Sequence, residues 1–211
     1  MSWEKSPGGF DRRSFLITTG NSQTKTKRFF ERIAGLAAIF ILLTAADGAR
    51  GGDTPALTEY QVKALCLLNF TKYAEWPAGT FARADSPIAI GVVGGTKFED
   101  GLKKAVEGKT FGGRKIVIQN IAGAEDWSKC QVLFISASEK NRFPEILDHV
   151  KSIPILTVGE ADGFRKEGGI INFITKDGKV RFKINLEAAR LAQLQISSKL
   201  LSLADDVTGK P

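Results

Sequence analysis

Acid–base, nucleophilic or metal chemistry in this chain would have to be built on one histidine, two cysteines and scattered carboxylates. His149 stands in Asp148-His-Val-Lys151, at the expected end of a helix, where a basic side chain suits the local dipole. A Ser–His–Asp relay or a histidine-based metal site would rest on it alone. Cys66, Cys130 and His149 lie far apart, without the clustered ligand spacing of a zinc site. Glu99-Asp100, Glu125-Asp126 and Asp205-Asp206 are sequence neighbours, so on a helix they diverge and in loops they meet water. No convergent polar cluster is singled out, and the chain reads as a non-enzyme with no catalytic residues, metal ligands or cofactor.

Glycine pairs invite a phosphate-loop reading. Gly91-Val-Val-Gly94-Gly95 follows an expected strand, but it matches neither the dinucleotide nor the P-loop spacing. Gly94-Gly95 more simply turns the chain from strand to helix. Gly112-Gly113 and Gly168-Gly169 read as turns into strands. A nucleotide or other small ligand at the strand carboxyl ends is compatible with any open α/β sheet, and that crevice stays open as an alternative site. Cys66 and Cys130 have apolar neighbours, which favours two free, buried thiols over a disulfide. A bond would require α-carbons within about 7 Å, and the sequence leaves the pairing open.

The elements that must position these groups alternate. Thr58 and Gln61 have capping-box spacing. Val62, Leu65, Cys66, Phe70 and Tyr73 then recur at helical period, until Pro77 disfavours helix in the residue before it. Strands are expected at 87–93, 115–121, 131–135 and 153–158, with helices at 98–106 and 144–150 between them. This order predicts a single α/β domain with a mostly parallel central sheet and helices on both faces. A C-terminal hairpin follows (169–174 and 180–184, Asp177-Gly178 in the turn), and then a long final helix from Leu186 to Ala204.

Residues 1–49 read as a secretory leader and 50–211 as the folded domain. Lys25, Lys27, Arg28 and Arg32 precede the apolar run 33–43, and small residues follow; these are the three parts of an export signal. Eleven apolar residues fall short of the roughly 18 to 20 that span a bilayer, so no stable membrane anchor is expected after cleavage near Ala46 to Ala49. An uncleaved N-terminal anchor is the alternative. The twin arginines 12–13 are separated from the apolar run by a polar stretch and read as coincidental or as part of an over-extended start. The leader holds seven basic and four acidic residues, leaving 23 basic and 19 acidic in 50–211. That small, interspersed excess is a solvated surface, and nucleic acid is not an expected partner.

Several stretches together resemble the YfiR-like family: 63–77 (KALCLLNFTKYAEWP), 130–136 (CQVLFIS), 155–158 with Phe164, 168–173 (GGIINF), 179–190 and 194–201. They occur in the family's order across most of 58–204. The resemblance implies a periplasmic protein that represses or tunes a membrane diguanylate cyclase by binding its periplasmic sensor domain, with release raising cyclic di-GMP and favouring biofilm. It also implies a homodimer, and cystine bridges in some members, although two cysteines cannot make two bridges here. The alternative function is a periplasmic binder of a nucleotide or amino acid in the strand-end crevice. Phe164 and Ile170, flanking a glycine-rich loop, are the expected exposed contact patch for the partner. Arg181 and Asn185, on the polar face of a strand, are the expected contacts for an anion or ligand.

Overall fold

Thr58 caps the first helix as its spacing predicts: its hydroxyl accepts from the Gln61 amide, and its own amide donates to the Gln61 side chain at 2.8 Å. The computed structural model describes residues 57–209, apart from 120 and 122, and the expected leader lies outside them. Helix α1 (Glu59–Tyr73) ends one residue before β1 (Ala74–Glu75) becomes extended. There follow β2 (Ile88–Val93), α2 (Thr96–Val106), β3 (Thr110–Phe111), β4 (Arg114–Gln119), α3 (Ala124–Trp127) and β5 (Val132–Ile135). A 3-10 turn over Ala137–Arg142 leads into α4 (Phe143–Val150), then β6 (Leu156–Gly159), β7 (Ile171–Lys176) and β8 (Lys179–Asn185). The chain closes with α5 (Leu186–Leu191), β9 (Gln195–Ile196), α6 (Ser198–Leu201) and β10 (Asp206–Thr208).

Eight strands form one sheet in the order β10-β8-β7-β6-β5-β2-β4-β3. All neighbours are parallel except β7 with β8 and β3 with β4. β1 and β9 pair separately, antiparallel. The continuous apolar strands are those buried on both faces. Along β5, Val132 and Phe134 join a core with Leu67 and Phe70 of α1 and Leu102 of α2. Leu133 and Ile135 point the other way, to Trp127 of α3 and Phe143, Ile146 and Val150 of α4. The expected two-sided, mostly parallel sheet is therefore present, and the β7–β8 turn sits where Asp177-Gly178 places it, with φ of +52° and +69°.

The long final helix is corrected. In its place α5 stops at Leu191, and a strand, a four-residue helix and an edge strand follow. The stop is a Schellman motif: the Leu194 amide donates to Ala189 O at 2.8 Å and the Gln193 amide to Arg190 O at 2.9 Å. Gln193 takes the left-handed conformation, φ +57°, that glycine usually fills. With a glutamine there, the composition looks helical throughout. Burial of Leu194 against the α1-side core is what the turn achieves.

Candidate functional site

β2 lies between β4 and β5 and the connections diverge from it, so the carboxyl ends of β2 and β5 form the crevice where open α/β sheets take ligands. Gly94 and Gly95 end β2 with φ of +64° and +106°. A Cβ on Gly94 would stand 2.5 Å from Ser138 Oγ and 2.7 Å from Glu139 Cγ. The glycine there permits close packing of two chain segments, and the Ser136 amide donates to Val93 O across the same gap at 2.9 Å.

The side of the crevice past β5 and β6 is taken by the chain itself. Glu160, one residue past β6, accepts from Lys63 Nζ at 2.8 Å through Oε2. Its Oε1 accepts from Ser136 Oγ and from the Ala137 amide, each at 3.3 Å. Lys63 also pairs with Glu59 at 2.6 Å, one helical turn back. The Lys63 and Glu160 side chains are only 8% and 7% exposed. Burial pulls the Lys63 ammonium down, but hydrogen bonds to Glu160 and Glu59 outweigh it and hold its pKa above the ordinary lysine value. Lys63, the Ser136 hydroxyl and the Ala137 amide are thus already engaged by one carboxylate. Neither Lys63 nor Glu160 was a sequence candidate. The available signal was a lysine recurring with Leu67 and Phe70 on a buried helical stripe, where a charge needs a partner.

Phe164 and Ile170, expected as an exposed patch, are buried at 0% and 2%, and that expectation is corrected. The Phe164 ring fills the space that side chains on Gly159 and Gly169 would occupy; a Cβ on Gly159 would lie 2.5 Å from it. It meets Phe143 edge-on at 5.1 Å. The Ile170 amide donates to Thr157 Oγ1 at 3.0 Å. These residues anchor the glycine-rich loop from inside, and the glycines are there to admit the ring.

Asn185 is spent on the fold as well. Its Oδ1 accepts from the Ala188 amide, capping α5, and its Nδ2 donates to Arg165 O. Arg165 pairs in turn with Asp206 of the edge strand at 2.8 Å. Arg181, half-buried on the face opposite Phe182, joins Lys176 and Lys183 around Asp205. The hydrogen bond from Lys176 holds the Asp205 carboxyl below the usual carboxylate range. Arg181 and Asn185 are four residues apart on β8, about 13 Å, and do not converge.

Cys66 and Cys130 are free thiols, the first half-buried and the second buried. Burial pushes both up to about 11, so neither is an activated nucleophile at neutral pH. His149 closes α4 and stands edge-on to Trp127 at 5.6 Å. Among the described residues no three His, Cys, Asp or Glu side chains gather as metal ligands.

Three comparisons bear on these findings. The family model described as YfiR/HmsC-like (DUF4154) matches residues 60–205. No curated protein matches. A crystal structure of a conserved domain protein from Vibrio cholerae O1 biovar El Tor aligns at 13% identity and a TM-score of 0.50, over 72% of this chain and 61% of that one. The ABC domain in complex with L-Trp from Streptococcus pneumonia aligns at 12% identity and a TM-score of 0.43, over 57% and 56%. This chain therefore spans less than two thirds of either. The first likeness concerns the fold alone, and the second carries no argument.

Proposed function

Because the chain belongs to the YfiR/HmsC-like family, we propose that it is an exported, non-catalytic regulator that binds the periplasmic sensor domain of a membrane diguanylate cyclase. The observation that carries the reading is the Lys63–Glu160–Ser136 cluster. Part of the position where an α/β sheet ordinarily holds a ligand, beside β5 and β6, is occupied by the chain's own ion pair, which favours action through surface over action on a small molecule. The mechanism is a population shift: a partner that binds the cyclase's inactive arrangement more tightly than its active one lowers output without chemistry. No helix among the described residues is long and apolar enough to cross a membrane, which suits a protein that meets its target from outside the bilayer. A homodimer belongs to the same proposal.

A periplasmic pulldown with the tagged chain tests it. Recovery of a membrane diguanylate cyclase, with cyclic di-GMP rising when the gene is deleted and falling when the exported form is restored, is the expected result. Recovery of no membrane signalling enzyme at low salt, with cyclic di-GMP unchanged on deletion, would sink the reading.

A further inference from the structure

We infer that the groove between α4 and α5, lined also by Glu167-Gly168, docks a basic helical segment of the partner that is apolar on one face. The inference rests on the partner-binding reading above and adds the surface that performs it. Leu191 gives the exposed apolar surface of an open groove of about 800 Å³, whose floor touches the buried Leu147 and Ala188. Leu191 is 59% exposed, more than any other large apolar side chain of the described residues. Four carboxylates line the same groove, those of Glu145, Asp148, Glu167 and Glu187, against the single ammonium of Lys151. Arg142 engages Glu145, and Lys151 engages Asp148. Glu167 and Glu187 have no ion pair among the described residues.

This negative rim stands on a chain whose residues 50–211 carry more basic than acidic side chains, so the field is local to the groove. An apolar floor with an acidic rim complements an amphipathic helix whose polar face is basic. The walls are helices and present no strand edge, so an extended peptide would find no ladder to join, whereas a helix face fills such a groove with side chains.

The test is fluorescence anisotropy of the purified chain with a dye-labelled Lys/Leu peptide of about fourteen residues patterned so that its leucines share one helical face. A scramble of the same composition and a Glu/Leu peptide of the same pattern are the controls. The patterned basic peptide binds, and Leu191→Asp or the pair Glu167→Lys with Glu187→Lys weakens it by about tenfold or more. All variants stay folded because the altered side chains are exposed, and Glu187→Lys lowers the unfolding temperature by only about a few degrees by placing a cation in the first turn of α5. Equal binding by the scramble or the acidic peptide, or unchanged affinity in both variants, overturns the inference. Conversion of a dimer to a monomer by Leu191→Asp, seen by light scattering, assigns the groove to a second copy and overturns it too. The pulldown separates the two levels. A cyclase captured equally by wild-type and charge-reversed chain defeats the groove and leaves the regulator reading standing. Failure of the wild type to capture any, with the peptide results intact, defeats the regulator reading alone.

Discussion

Lys63 Nζ stands 2.8 Å from Glu160 Oε2, joining the first helix to the loop after β6 across 97 residues of sequence. The pair sits at the carboxyl ends of the central strands, and both side chains are nearly out of water. Two desolvated charges are tolerable there because Glu59, Ser136 and the Ala137 amide satisfy what the pair leaves over.

Removing one partner should be far worse than removing both. Lys63→Met leaves Glu160 buried and uncompensated, an expected loss of about 3–5 kcal/mol in urea unfolding. Lys63→Met with Glu160→Leu should recover most of that loss. A single-variant cost under about 1 kcal/mol would mean that the pair behaves as a surface ion pair.

Phe164→Ala removes a fully buried ring seated on two glycines and should destabilise by about 3–5 kcal/mol. Were Phe164 a surface contact, the change would stay within about 0.5 kcal/mol. Calorimetric unfolding distinguishes the two.

Gln193 pays the left-handed penalty that a glycine escapes. Gln193→Gly is expected to raise stability by about 1 kcal/mol, whereas Gln193→Val should lower it. A loss on introducing glycine would show that the helix stop depends on the glutamine side chain.

Alkaline conditions should weaken the fold from about pH 9 upward. The Cys66 and Cys130 thiols, ordinarily near 9.0, are held at about 11 by burial. Between those values the unfolded chain has lost protons that the folded chain keeps, so stability falls as pH rises. Lys63, raised from 10.5, adds its loss only above that pH. Melting temperatures from pH 8 to 10.5 should decline, and Cys66→Ala with Cys130→Ala should flatten the earlier part of the slope. Equal slopes in wild type and variant would remove the thiols from the account.

What the sequence by itself determined is local or one-dimensional. Thr58 with Gln61 specifies a helix start, and Asp177-Gly178 specifies the hairpin turn, because each depends on neighbours three residues apart or fewer. The strands 88–93 and 132–135 are legible because burial on both faces leaves an unbroken apolar run. The stretches shared with the YfiR-like family are legible for the same reason: they are mostly core. Tertiary structure alone decided which side chains face outward. Phe164 is flanked by glycines, as an exposed loop residue might be, yet those glycines are the space into which its ring folds. Gln193 has no glycine to mark the turn, and the need to bury Leu194 breaks the helix there. Lys63 and Glu160 are 97 residues apart, and Leu147 and Leu191 line one groove from separate helices. Such pairings are set by how the sheet is ordered, which no local pattern encodes.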